Sequence, residues 1–109
     1  MKAAVSVWRG GICASEKRIR VVIGDGDDGF RRNLRETFSG ESDIDVVGEA
    51  DDGELALQLV RRLRPNVAVL DEDLPSLGGG AIARVLAAEI PEVRVVILTA
   101  ACGGRNVVN

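Results

Sequence analysis

Carboxylates are the side chains of this sequence best placed to do chemistry. Asp25, with Asp27 and Asp28 close behind it, follows one short apolar run, and Asp71-Glu72-Asp73 follows another. Carboxylates forced together repel and raise one another's pKa unless a cation neutralises them, so two acidic clusters brought to one place point to a hard divalent ion such as Mg²⁺. Thr99 ends a third apolar run and adds a hydroxyl. The chain contains no His and no Tyr, which removes imidazole metal ligands, a histidine general base and the Ser-His-Asp type of hydrolase together. Cys13 and Cys102 stand far apart without CxxC spacing, so neither a zinc knuckle nor a disulfide-dense scaffold is indicated and both read as inert thiols.

The 109 residues, 46% hydrophobic and 28% charged, make one small domain. Fourteen Lys and Arg against seventeen Asp and Glu leave a net charge of −3, which argues against direct binding of nucleic acid by this chain. No apolar stretch approaches the length that crosses a bilayer, so no membrane partner is expected. Residues 1–17 read as a disordered leader, because Arg9-Gly10-Gly11 interrupts the run Ala3 to Trp8 well short of a signal peptide. A reducing cytoplasm is the expected compartment.

The elements that must position the acids follow from a regular rhythm. From Arg18 onward short β-branched runs alternate with amphipathic stretches, the pattern of β-α units and a parallel sheet covered by helices. Val21-Val22-Ile23, Val67-Ala68-Val69-Leu70 and Val93 to Leu98 are near-continuous and so predict central strands buried on both faces. Ile44-Asp45-Val46-Val47 carries a charge and predicts a strand nearer the edge. Phe30, Leu34 and Phe38 recur at four-residue steps and predict a first helix stopping at Ser39-Gly40, with Arg31, Arg32 and Arg35 on its solvated face. A second helix starts near Asp51-Asp52-Gly53 under an Asp cap, turns Leu55, Leu59 and Leu63 inward, places Arg61, Arg62 and Arg64 at its C-terminus and ends before Pro65. The third, about Gly80 to Ile90, presents Ile82, Val85, Leu86 and Ile90 and is closed by Pro91. Gly78-Gly79-Gly80 has neither GxGxxG nor GK[ST] spacing and reads as a flexible loop.

In an open parallel sheet the carboxyl ends of the strands gather at one rim, where ligands bind. Asp25, the trio at 71–73 and Thr99 belong on that rim. In order along the chain, Ile19 to Asp25, Phe30-Arg31, Val46 to Gly53, Val69-Leu70-Asp71-Glu72-Asp73-Leu74-Pro75 and Val95 to Ala100 resemble the receiver domain of bacterial two-component response regulators. The nearest group is the LuxR/NarL-like transcription factors, and the likeness covers roughly Arg18 to Ala100. The resemblance implies an α/β, flavodoxin-like doubly wound parallel sheet, here 18–109 and incomplete, with the fifth strand and last helix of the family missing. It implies that Asp71 is the phosphoacceptor, taking a phosphoryl group from a sensor histidine kinase as a carboxylate nucleophile. It gives Mg²⁺ to Asp25, Asp71 and the backbone carbonyl of Asp73, to neutralise charge that opposes the attack, and makes Thr99 the switch hydroxyl. No organic cofactor is implied, and the chain is not expected to be an enzyme.

Two positions depart from the family. Gly26 stands where a second acidic residue is usual, which should weaken Mg²⁺, and Asp27 could replace it only through an unusual bend of the backbone. The lysine that follows the family's fifth strand has no counterpart. Both departures favour an alternative, a degenerate receiver that works through protein contacts without phosphorylation. A small Mg²⁺-dependent phosphohydrolase using Asp71 and Asp73, in the manner of haloacid-dehalogenase-like phosphatases, ranks below both, since such a pair follows the first strand there and Pro75 occupies the position of their hydroxyl residue. Read singly, Asp25 is a turn former, 71–73 a solvated loop, and Thr99 an ordinary strand residue. With the fifth strand missing, the fourth becomes a bare apolar edge. The expected outcome is self-association or poor stability, checked by sedimentation and thermal scans; a monodisperse monomer that melts cooperatively would contradict it.

Overall fold

A computed structural model describes residues 18–99 and the backbone of 106–108. The leader at 1–17, with Trp8 and Cys13, and also Cys102, lie outside the described residues. Eight elements follow in chain order: β1 (Ile19–Gly24), α1 (Asp28–Ser39), β2 (Ile44–Ala50), α2 (Gly53–Leu63), β3 (Val67–Asp71), α3 (Gly79–Glu89), β4 (Arg94–Thr99) and β5 (Asn106–Val108). The sheet order is β2-β1-β3-β4-β5. β1 pairs in parallel with both β2 and β3, and β3 in parallel with β4.

The near-continuous apolar runs all form strands, and β1 and β3 are the central ones. β4 departs from the expectation of burial on both faces, with Leu98 buried but Val95, Val96 and Ile97 only half-buried, because among the described residues its outer side is paired only at its end. Val22, Ile23, Ala68 and Leu70 are wholly shielded from solvent, as expected of strands covered on both sides. β2, with its internal charge, lies at one edge. On one face α2 and α3 pack Ala56, Leu57, Val60, Ile82 and Leu86 against Val22, Ala68 and Leu70. On the other face α1 lays Phe30, Leu34 and Phe38 against Val21, Ile23, Val69 and Leu98. No residue of α1 is fully buried.

Three further expectations need correction. Leu55 of α2 is exposed, and the inward stripe is Ala56, Leu57 and Val60, with Leu59 and Leu63 only half-buried. The stripe is rotated because α2 approaches β1 closely where both sides are small: a Cβ on Gly24 would lie 3.3 Å from the Ala56 Cβ. The glycine run is not a loose loop either. Gly78 caps α3 and Gly79 is buried in its first turn, and Cβ atoms there would lie 2.7 Å and 2.8 Å from the carbonyl oxygens of Glu72 and Asp71. Glycine is what allows α3 to start against the end of β3. Lastly, the β4 edge is not wholly bare. β5 runs antiparallel to it, pairing Ile97, Leu98 and Thr99 with Val108, Val107 and Asn106. Among the described residues no parallel fifth strand and no further helix is present, and the Arg94–Val96 stretch has no strand on its outer side.

Asp52 caps α2 by accepting from the Leu55 N–H at 2.8 Å, and the helix closes at Arg64, whose φ of 49° is left-handed. Arg61 forks onto Glu89 at 2.9 and 2.7 Å, tying α2 to α3. That hydrogen bond holds the Glu89 carboxyl below its ordinary range. Its small contribution is present above the usual carboxylate pKa and is lost as pH falls through the lowered one.

The tightest joint is the start of α2 against the loop after β3. Gly53 N–H donates to the Pro75 carbonyl at 2.8 Å, and a Cβ on Gly53 would run into the Leu77 carbonyl. Gly53→Ala is expected to cost about 3 kcal/mol, an overpacking penalty against backbone, while Asp52→Ala loses about 1 kcal/mol of cap. Urea unfolding of the two variants measures both, and a Gly53→Ala chain as stable as the parent would contradict the joint.

Candidate functional site

Strand register brings the acids together. Gly24 is opposite Leu70 and Asp71 is opposite Leu98, so Asp25, Asp71 and Thr99 end three neighbouring parallel strands about 5 Å apart. Asp25 is completely buried, Asp71 and Thr99 are half-buried, and Asp73 is exposed. The predicted site residues therefore share the carboxyl rim of the sheet.

Local hydrogen bonds hold each acid in place. Asp25 Oδ1 accepts from the Asp27 N–H at 2.8 Å, and Asp71 Oδ1 accepts from the Asp73 N–H at 3.2 Å. Both are Asx-type turns, in which the side chain stands in for a backbone acceptor two residues on. The Asp25 N–H donates to the Ala50 carbonyl at 3.0 Å and the Glu72 N–H to the Leu98 carbonyl at 2.9 Å, extending the strand pairing into the rim. Leu74, 4% exposed, pins the loop after Asp71 into the core. Ser76, at a left-handed φ of 68°, accepts from the Glu54 N–H at 3.2 Å and so fastens the same loop to α2.

Asp27 does not replace the acid missing at Gly26. Its Oδ1 accepts from the Phe30 N–H at 3.0 Å, capping α1. Gly26 is exposed beside Pro75, whose Cδ would lie 3.2 Å from a Cβ at that position. Among the described residues no three His, Cys, Asp or Glu side chains converge as a metal cage. The rim offers Asp25, Asp71 and backbone carbonyls, and one or two carboxylates are what Mg²⁺ uses when it keeps several of its waters. The donor set fits the ion, with fewer anionic ligands than a second acid at 26 would give.

Charge reasoning misplaced Arg31. Its Nη1 donates to the Asp25 carbonyl at 2.6 Å, its Nη2 to Asp28 at 2.6 Å, and its Nε lies 3.3 Å from Glu49. Arg35 joins Glu49 at 2.8 Å. Burial works against the Arg31 charge, but the Asp28 hydrogen bond and the fields of Asp28, Glu49 and Asp51 outweigh it and raise its pKa. Arg31 is thus a half-buried brace between α1, β2 and the turn after β1. Nothing in its type or spacing separates it from Arg32, which is exposed.

A small, mainly parallel sheet with helices on both faces and acids on its carboxyl rim is a flavodoxin-like architecture. The profile of the response regulator receiver domain matches residues 21–108, and the chain belongs to that family. It is 36% identical over 84 residues to the "Probable transcriptional regulatory protein NarL" of Mycobacterium tuberculosis, covering 77% of this chain and 39% of that protein. To the response regulator GacA of Pseudomonas aeruginosa it is 35% identical over 81 residues, 74% of this chain and 38% of the other. The chain thus spans less than two fifths of these regulators. The solved receiver domain of NarL from Mycobacterium tuberculosis superposes with a TM-score of 0.75 at 36% identity, covering 77% of this chain and 68% of that one. The response regulator domain of Thermotoga maritima CheB gives 0.72 at 27% identity, covering 80% and 66%. A protein-glutamate methylesterase/protein-glutamine glutaminase of Paramagnetospirillum magneticum is also among the relatives, at 38% identity over 80 residues, 72% of this chain and 22% of that protein.

The brace yields a stability test. Arg31→Ala removes charge-assisted bonds from a half-buried position and should cost about 2 kcal/mol, whereas Arg32→Ala should stay within about 0.5 kcal/mol. Equal midpoints for the two in urea would mean the brace contributes nothing.

Proposed function

We propose that this chain is the phosphoacceptor receiver of a bacterial two-component regulator. The observation that carries the reading is the register that ends β1, β3 and β4 on Asp25, Asp71 and Thr99. Asp71 attacks the phosphorus of a phosphohistidine on a sensor kinase; its carboxylate oxygen forms the new O–P bond as the P–N bond breaks and the imidazole leaves. Asp25, Asp71 and the Asp73 carbonyl would hold Mg²⁺, which would supply charge neutralisation to two anions that must meet. Burial of Asp25 beneath the rim keeps one carboxylate fixed there, while half-exposed Asp71 stays open to the donor. The Asx turn that ends on the Asp73 N–H orients the Asp71 carboxylate for the attack.

Thr99 is the switch. Its hydroxyl is of the right kind to donate to phosphoryl oxygens, which bring about −1.5 to −2 of charge to the rim, and Thr99 is also the first rung of the β4–β5 pairing. A change at Asp71 therefore reaches the outer edge of the sheet through one residue. The target of that change is transcription, through a longer regulator in the cytoplasm. Self-association along the uncovered Arg94–Val96 edge belongs to the same reading, since such an edge offers unpaired backbone groups to a second copy.

A second reading is favoured by Gly26 and by the absence of a third acidic ligand among the described residues: a degenerate receiver that signals by contact alone. Intact-mass measurement after incubation with a small phosphodonor and Mg²⁺ separates the two. One phosphoryl group is expected on the parent and none on a folded Asp71→Asn chain; a folded parent that gains none supports the second reading. Gly26→Asp should tighten Mg²⁺ several-fold, read as a shift in the titration of amide signals at Asp25 and Asp71. The gain is limited by the push against Pro75, and no change in affinity would remove residue 26 from the ion site.

A further inference from the structure

β1 ends at Gly24, and Asp25 is the first residue beyond it. The sheet still holds its amide side, since the Asp25 N–H donates to the Ala50 carbonyl at 3.0 Å. Its carbonyl side leads into Gly26, the most permissive kind of residue a backbone can contain. Rotation about the 25–26 peptide would swing the Asp27 N–H away from Asp25 Oδ1, the 2.8 Å bond that aims the carboxylate. A Cβ at 26 would narrow that rotation, and Gly26 has none. What holds the Asp25 carbonyl comes from α1. Arg31, in the first turn of the helix, reaches back with Nη1 to that carbonyl at 2.6 Å. The guanidinium is itself clamped, by Asp28 at 2.6 Å on Nη2 and by Glu49 at 3.3 Å from Nε. Glu49 stands on β2 in register with Ile23, so the grip on Asp25 is referred to the sheet as well as to the helix.

We propose that Arg31 is the positioning residue of the Asp25 carboxylate, fixing from behind a turn in which residue 26 supplies no restraint of its own. A planar guanidinium with donors in set directions serves a carbonyl and two carboxylates at once, which an ammonium does not. The Arg31 side chain is only 17% exposed, so water competes little for these bonds. The consequence for the ion rests on the phosphoacceptor reading of the rim. Arg31 is a cation, and by charge alone its removal would tighten a divalent cation held nearby. By position its removal would loosen one of the two carboxylates available to the ion, and Mg²⁺ demands near-ideal ligand geometry. Asp28 and Glu49 lie against the guanidinium and offset its field, so position outweighs charge. The two effects have opposite signs, and the direction of the change tells them apart.

Two readouts on the full chain decide it. Without Mg²⁺, the Asp27 amide should exchange with solvent about tenfold faster in Arg31→Ala than in the parent, the change expected when one well-placed hydrogen bond opens. Ile82→Val, a core substitution in α3, lowers stability as well but should leave that rate alone, which separates positioning from general destabilisation. With Mg²⁺, the amide signals of Asp25 and Asp71 should titrate several-fold more weakly in folded Arg31→Ala and as in the parent for Ile82→Val. Arg31→Lys keeps the charge without the fork and should restore the affinity only in part; it also carries both readouts, with smaller changes, if Arg31→Ala fails to fold. An Asp27 exchange rate that the Arg31 variants leave unchanged overturns the proposal, and so does a Mg²⁺ affinity that stays level or rises. A parent whose amides do not respond to Mg²⁺ at all defeats the ion-site reading instead, and the exchange rate then decides alone whether Arg31 positions Asp25.

Discussion

Parallel pairing around β3 is the constraint on which the rest depends. With Val22, Ile23, Ala68 and Leu70 sealed on both faces, a slip of one residue would turn these side chains to the wrong layer and misalign every strand end at once. Because β1 and β4 both take their register from β3, the positions of Asp25 and Thr99 relative to Asp71 are by-products of core packing. The chemistry at the rim needs no dedicated scaffold of its own. The two Asx turns and the Leu74 anchor then do the finer work of aiming side chains that the strands have already delivered.

Much of this was legible because burial leaves a plain imprint on composition. The unbroken apolar runs of β1 and β3 read as strands covered on both sides, the charged run of β2 as one nearer the edge, and Asp52 followed by a leucine series as a capped helix. The equally unbroken run of β4 misled, since its Val95, Val96 and Ile97 are only half-buried. The acids were legible because each follows such a run directly. Legibility failed where the deciding fact was a close approach between distant segments. Leucines at 55, 59 and 63 form as good a stripe as Ala56, Leu57 and Val60, and the choice falls to how near α2 comes to Gly24. The same holds for Gly53, Gly78 and Gly79, whose missing side chains answer to carbonyls twenty-four, six and eight residues away. Arg31 and Arg32 are chemically identical in the sequence, and the positions of the Asp25 carbonyl, Asp28 and Glu49 tell them apart. β5 is three residues long, too short for any periodicity.

On the proposed reading, the rim combines a complete nucleophile with an abridged ion site. Asp71 sits where the register requires, yet Gly26 leaves one fewer anion beside it, and Asp27 is committed to the α1 cap. The loop that would have to accommodate a larger residue at 26 is held from several directions, by Leu74 in the core and by Pro75 and Ser76 against α2. Rigidity of that loop favours a fixed geometry for Asp71 and leaves little slack for a bulkier neighbour. Arg31, gripping the Asp25 carbonyl from α1, ties the helix to the acidic turn and, through Glu49, to β2.

The pairing of Thr99 with Asn106 has an effect on how the molecule breathes. A strand of three residues held along one side is among the least protected parts of a fold, opening far more readily than the buried β3 beside it. Because its first rung falls on the residue that closes β4 at the acidic rim, the opening equilibrium of β5 is set from that end, like a zip whose slider rests at Thr99. On the proposed reading, small displacements there would change how often the edge is open rather than where it lies, and the population of an exposed edge, more than any fixed shape, would be the quantity another molecule senses.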